Sequence, residues 1–455
     1  MKVLISIILG LSFIQGLPEN DPREYFYFGN INLIGIGPLE DGKKQGAWKV
    51  YGRIEELEDP RITVEPVRDG DLVEYFDLTN PLYQINFKEN LPDGIMEEFY
   101  PDGKIKKLVN FSEGKLNGDF FEFSKTGEVL LSGSYLDDQK SGDWISYFSN
   151  GNKKSEYSYL DNQLHGPNRI YYSNGVLAEI IPFEAGKLQG TYQTFFPNGT
   201  VQKTMEFDND LEHGAFKYYF EDGRLEVSGS YAKGELEDNW ENYDNFGQLI
   251  AYGTYQGGLK EGEWQEQIPE IQGLYRVGIY TEGNKTGSWK ITDGEGFVYQ
   301  NELFENGRLV SINEFTTPTG KVLDGGKLNK GKGKRIIYDR EGNLLEKGRY
   351  SKGLRNGVWY TYYPQSDMIA SSGSYVEGRK NGTWKYYDMT GELLSEDYFV
   401  EGQNSEQQEV SSVDNHLIDR KEYWRNQVGE PESSNDLRFL LRFKRPHVQQ
   451  MINNF

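Results

Sequence analysis

The chain has 455 residues, no cysteine, a formal net charge of −22, 36% apolar residues and 14% aromatic ones. Disulfides, thiol nucleophiles and Cys-ligated zinc are therefore excluded, and the acidic balance lacks the basic footprint that nucleic-acid binding requires. Few aliphatics and many rings point to thin sheets sealed by aromatics rather than to a thick core.

At the N-terminus, Lys2, the apolar run Val3 to Ile14 and Gln15-Gly16 read as a secretory signal peptide over residues 1–16. The run is too short to span a bilayer, so the membrane is involved only through export, to periplasm, cell surface or medium. Residues 17–40 carry Pro18, Pro22, Pro38 and the run Tyr25-Phe26-Tyr27-Phe28. They are expected to form a capping strand over the first hairpin.

From residue 41 to 402 one pattern recurs about every 24 residues, in about fifteen units. Its opening glycines are Gly46, Gly70, Gly94, Gly118, Gly142, Gly166, Gly190 and Gly214; Asp238 and Gly262 come next at the same interval. The spacing then loosens through Gly287, Ser311, Gly333, Gly357 and Gly382. Two residues past the opener stand Trp48, Trp144, Trp240, Trp264, Trp289, Trp359 and Trp384, with Phe120, Tyr192 and Phe216 in equivalent slots. A second slot holds aromatics such as Tyr147 and Tyr219, and a third holds Phe111, Tyr135, Tyr159 and Tyr255. Such a period marks a repeat architecture.

Each unit contains a pair such as Asn150-Gly151, Asn174-Gly175 or Asp222-Gly223 between two runs rich in Tyr, Phe, Val and Trp. These pairs favour type I′ hairpin turns, with both central residues at positive φ. One unit is thus predicted to be one antiparallel hairpin, and a second glycine-bearing turn joins it to the next. A lone hairpin is marginal in water, so the units must pair edge to edge. The predicted fold is all-β: an elongated, twisted, mostly single-layer antiparallel sheet with aromatic ladders on both faces.

The second-slot ring is missing from three adjacent units, where Gln267, Thr292 and Thr316 stand, and Ile268-Pro269-Glu270 interrupts the period nearby. This predicts a polar trough and a partner-docking window. Residues 403–436 read as a polar, acidic linker. The stretch 437–455 reverses the charge: Arg438, Arg442, Lys444 and Arg445 interleave with Phe439, Leu440, Leu441 and Phe443, a second candidate contact.

Catalytic and metal motifs do not assemble. Gly326 to Gly333 approaches a P-loop, but a glycine takes the Mg²⁺-binding Ser/Thr position. His165 and His213 lie two units apart, on the order of 20 Å by strand spacing, too far to share a metal. The acidic turns at Asp137-Asp138 and Asp208 to Asp210 lack the distal Glu of a calcium loop. No cofactor, metal or enzymatic activity is expected.

The motif carried by Gly357, Trp359, Tyr362, Gly382, Trp384, Tyr387, Gly391, Leu393 and Gly402 resembles the MORN-repeat variant of the YwqK-type antitoxin or immunity group. The resemblance covers about Asp41 to Gly402 and implies a hairpin-repeat sheet with a binding role and no catalysis. Two functions are expected from it. One is a scaffold for a protein partner, antitoxin-like in the cell envelope; the other is a carbohydrate- or cell-wall-binding surface, since ring ladders stack on sugars. The Trp slot also holds Leu72, Met96, Asn168 and Arg335, none with a π face for a sugar, which favours the protein partner.

Overall fold

The computed structural model describes residues 24–27, 33–52, 64–69, 72–269, 271 and 273–404. The leader, half of the capping segment, nearly all of the linker, and Arg438, Arg442, Lys444 and Arg445 lie outside them. Among the described residues every regular element is a β-strand and all pairings are antiparallel, mostly between successive strands; Gly46–Gly52 is flanked by Leu33–Gly37 and Tyr83–Lys88, each pairing stepping over a short hairpin.

The two turns of each unit differ, and the type I′ geometry expected at the Asn-Gly and Asp-Gly pairs is found at the junction turns instead. The left-handed pairs of type I′ geometry sit at the junctions: Asp137 and Asp138 have φ of 48° and 67°, Asp161 and Asn162 48° and 61°, Asn209 and Asp210 48° and 71°. Short polar side chains tolerate this region, so no glycine is needed there. At the Asn-Gly pairs only the glycine is left-handed, as at Gly151 with φ 84°. Gly151 N–H donates to Phe148 C=O at 2.9 Å and Phe148 N–H to Asn152 C=O at 2.8 Å, beside a register shift at Ser146/Tyr147. That is a type I turn closed by a bulged glycine, which requires one positive φ and not two.

The opening glycines are also bulges. Gly142 has φ 63°, and the ladder slips opposite it between Ser132 and Ser134. Asp238 holds the same place at φ 62°. Consecutive junction turns are joined to one another by backbone bonds along one edge. Asp138 N–H donates to Leu116 C=O at 2.9 Å, Gly234 N–H to Glu212 C=O at 2.8 Å and Gly283 N–H to Lys260 C=O at 3.0 Å.

The chain divides into two compact units at Gly199/Thr200, within a type I loop. In the first unit the strands form a meander from Glu24–Tyr27 to Gly190–Phe195. The repeat opened by Gly70 departs from it: among the described residues Val64–Asp69 and Leu72–Asp77 pair only with each other, and Gly46–Gly52 pairs directly with Tyr83–Lys88. In the second unit a meander from Val201–Asp208 to Arg308–Ile312 leads into a short pair, Phe315–Thr316 with Val322–Leu323. An eight-stranded sheet from Gly326–Asn329 to Gln403–Asn404 completes it. The sheet ladder thus breaks after Ile312, but the edge bonds continue across the break: Gly331 N–H donates to Val310 C=O at 2.9 Å and Gly353 N–H to Gly331 C=O at 2.8 Å.

Candidate binding surface

The tryptophan slot is built from two strands that flank a junction turn. Eleven residues before Trp144 lies Gly133, and a Cβ there would come within 2.3 Å of the indole. The same seat is made for Trp264 by Gly253, for Trp289 by Gly278, for Trp359 by Gly348 and for Trp384 by Gly373, at 2.1–2.3 Å. Each indole lies flat over bare backbone, and each N–H donates to a nearby carbonyl. Trp264 donates to Thr254 C=O at 3.0 Å, and Trp384 to Ser374 C=O at 3.2 Å. Third-slot tyrosines meet the ring edge-on, as Tyr255 does at 5.1 Å from Trp264 and Tyr280 at 5.2 Å from Trp289. Such pairs contribute about 0.5–1.5 kcal/mol each beyond area burial.

A cation four residues before the tryptophan closes the other face. Lys140 sits 4.3 Å above Trp144, Lys260 4.4 Å above Trp264, Lys285 4.4 Å above Trp289, Arg355 4.3 Å above Trp359 and Lys380 4.2 Å above Trp384. Burial pushes the ammonium groups of Lys140, Lys285 and Lys380 below their ordinary range, and that of Lys44, over Trp48, down to about 8. Trp240 is the exception: Leu236 stands at the cation position and its N–H has no acceptor. The seven slot tryptophans are only 0–5% exposed. Sequence reading identified the rings but missed the glycine seat and the cation, although Gly-x-Tyr and Lys-x-Gly-x-Trp recur together along the chain.

In the second unit these cations join a buried ionic row. Glu266 accepts from Lys260 at 2.6 Å and pairs with Lys285 at 2.9 Å. Burial alone would raise its pKa, but the two ammonium groups outweigh it and hold Glu266 at about 2. Arg335, in the tryptophan slot after the sheet break, pairs with Glu302 at 2.5 Å, and Arg276 reaches the same carboxylate at 3.1 Å. Burial opposes ionisation of Glu302, and the two guanidinium groups still keep it below the usual carboxylate range.

The three ladder-break residues come together only in part. Gln267 pairs with Tyr275 and Tyr275 with Thr292, so these two flank one ring on adjacent strands. Thr316 lies apart in the short pair with Val322. Gln267 and Thr316 are half-buried, and Thr292 is buried. Thr292 is enclosed rather than lining an open trough, and apolar residues from outside the periodic slots cluster nearby. Ile268, Ile271 and Leu274 fold inward with Tyr299 and Phe315. A chain of rings then runs from Phe297 through Tyr299 and Phe315 to Tyr338 at centroid spacings of 4.9, 5.5 and 5.4 Å.

The family pattern described as MORN repeat variant matches residues 92–113, 140–161, 164–185, 188–209 and 212–233. Each match runs from one junction turn to the next, so these segments are MORN-type repeats. No curated protein sequence matches the chain. Similar solved chains include that of the crystal structure of TcdB2-TccC3-Cdc42, 12% identical over 82% of this chain and 25% of that one, with TM-score 0.13. The crystal structure of TcdB2-TccC3 is 11% identical over the same shares, with TM-score 0.15. The Tc holotoxin pore of Photorhabdus luminescens is 12% identical over 84% of this chain and 22% of that one, with TM-score 0.12. The chain spans about a quarter of the length of the solved chains it matches.

Proposed function

We propose that the chain is a non-catalytic repeat scaffold that binds a protein partner, in an antitoxin- or immunity-like role in the cell envelope, where its leader would deliver it. One observation carries this reading over sugar binding. The indoles lie between a glycine seat and a cation, so the ring faces that a sugar would stack on are already covered. Among the apolar side chains that each unit leaves accessible are aliphatic ones beside the junction turns. These are Leu136 and Leu160 in the first unit and Leu211, Leu259, Val376 and Val400 in the second. A periodic apolar row set among acidic turns suits a polypeptide better than a glycan. Gln267 and Thr316 keep accessible atoms and belong to this proposal, as do Arg438, Arg442, Lys444 and Arg445; Thr292, being enclosed, is left out.

The test compares the wild type with a Leu136→Ser, Leu160→Ser, Leu211→Ser, Leu259→Ser variant in affinity capture from envelope extract, with a glycan array run in parallel. A specific protein captured by the wild type and lost from an equally stable variant supports the reading. Glycan binding by both proteins, with no captured protein, would overturn it.

A further inference from the structure

The eight-stranded sheet of the second unit ends on Leu393–Val400. One side of this strand pairs with Arg379–Tyr387 from Tyr387↔Leu393 to Gly382↔Phe399. On the other side only Val400 and Phe399 have partners, Gln403 and Asn404. Among the described residues no strand lies beside the outer edge from Leu393 to Tyr398. Folded proteins ordinarily blunt such an edge with charge, proline or a bulge, because its free backbone groups template further pairing. Here the edge is apolar: Leu393, Leu394, Tyr398 and Val400 are 51%, 64%, 53% and 49% exposed.

The two faces of this strand differ. Strand alternation puts Leu394, Tyr398 and Val400 on one face, with Glu396 between them. Ser395, Asp397 and Phe399 share the other face, where Phe399 meets Trp384 edge-on at 6.4 Å. The flanks add Glu392 and Glu401, so the edge is acidic as well as apolar.

The stretch 437–445 has the complementary pattern. Leu437, Phe439, Leu441 and Phe443 alternate with Arg438, Leu440, Arg442 and Lys444, and Pro446 comes directly after Arg445. Period-2 alternation of this kind specifies a half-buried strand, and proline ends it. No acidic residue occurs from 437 to 455. Residues 405–436 are polar and rich in Ser, Glu and Gln, and a polar linker of that length has a typical end-to-end span of roughly 30 Å. A six-residue edge is about 20 Å long, so the linker reaches either end of it.

We propose that Leu437 to Arg445 adds as a strand to the outer edge of Leu393–Val400. Its apolar side meets Leu394, Tyr398 and Val400, and its cations lie toward Asp397 and the Phe399 ring. Strand addition takes affinity from main-chain bonds and selectivity from alternate side chains, and both components are present here. The added strand closes the last repeat, which in a repeat array otherwise leaves a sticky end. Strand addition here draws Val400 and the cations of 438–445 away from the partner contact, which then rests on the other junction-turn aliphatics and on Gln267 and Thr316.

Amide exchange on the full chain tests it, comparing the wild type with a Phe439→Ser, Leu441→Ser, Phe443→Ser variant. Both proteins are measured at two concentrations ten-fold apart. The expected result is exchange at Ser395 to Tyr398 at least ten-fold faster in the variant, at either concentration, with Leu344–Ser351 unchanged. Equal exchange in the two proteins would overturn the proposal. So would protection that rises with concentration and survives the substitutions, which would assign the edge to a second copy of the chain.

Discussion

Replacing Gly253 by alanine tests whether the glycine seat is what places a tryptophan in each repeat. The added Cβ would stand 2.1 Å and 2.2 Å from Cδ2 and Cε2 of Trp264, where carbon atoms normally keep about 3.5–4 Å. The indole would have to retreat by roughly 1.5 Å, against Tyr255 at 5.1 Å and Tyr280 at 5.8 Å. Retreat also breaks its bond to Thr254 C=O at 3.0 Å. Overpacking of about 1–3 kcal/mol and a lost hydrogen bond of about 1 kcal/mol give roughly 3 kcal/mol for one methyl group. Because repeats open locally, the assay is amide exchange in Leu249–Gln256 and Leu259–Gln267 together with urea unfolding. Trp264→Ala alone should destabilise by about 3–5 kcal/mol. The double variant should be no less stable than Trp264→Ala, since the methyl enters the space the ring vacated. Additive losses in this cycle, or a neutral Gly253→Ala, would refute the seat.

Thr292→Tyr should destabilise by about 1–3 kcal/mol in thermal melting, because the side chain is buried beside Tyr275 and the ring chain through Tyr299 already fills the region; Gln267→Tyr, half-buried, should be near neutral. Asp238→Gly should stabilise by up to about 1 kcal/mol in urea unfolding, since a bulge at φ 62° suits glycine better than any L side chain. Glu266 is held at about 2 in the fold, below its ordinary 4.5. It therefore contributes stability above pH 4.5 that is lost as the pH falls toward 2, roughly 3 kcal/mol in all. The gap in unfolding free energy between wild type and Glu266→Gln should narrow over that window, and a gap that does not change with pH would show that the pairs with Lys260 and Lys285 are not what depresses it.

The repeat, its strands and its ring slots were legible because the pattern satisfies two physical demands at once, turns at fixed offset and period-2 rings. Turn types were less legible. Asn150-Gly151 fits a type I′ turn by composition, but Asp137-Asp138 and Asp161-Asn162 take that geometry, which short polar residues reach without glycine. The distinction goes with the bulge at the turn glycine and the register shift at Ser146/Tyr147 beside it, a feature of strand register that no local propensity reports. The burial of Thr292 was missed for a related reason. Counting lost rings cannot locate replacements that arrive from other positions, and Tyr275, Tyr299 and Phe315 all lie outside the periodic slots. The displaced repeat at Gly70 gave no sign at all, since Val64–Asp69 and Leu72–Asp77 read as ordinary strands. The cations over the indoles could have been found, because a lysine or arginine four residues before a tryptophan recurs within this one chain.

The way each tryptophan is seated also bears on how such a chain can grow or shrink over generations. Gly133 and Trp144 belong to strands on either side of the Asp137-Asp138 turn, so the inherited module is the hairpin around that turn. A duplication or deletion with its breakpoints in the Asn-Gly loops would copy or remove whole modules and leave every indole with its glycine. Breakpoints in the junction turns would part the two halves, putting a tryptophan over whatever residue the neighbouring copy supplied. The same rule gives a protein engineer the cutting sites for lengthening or shortening the array: residues 148–152 and their equivalents, never residues 137 and 138.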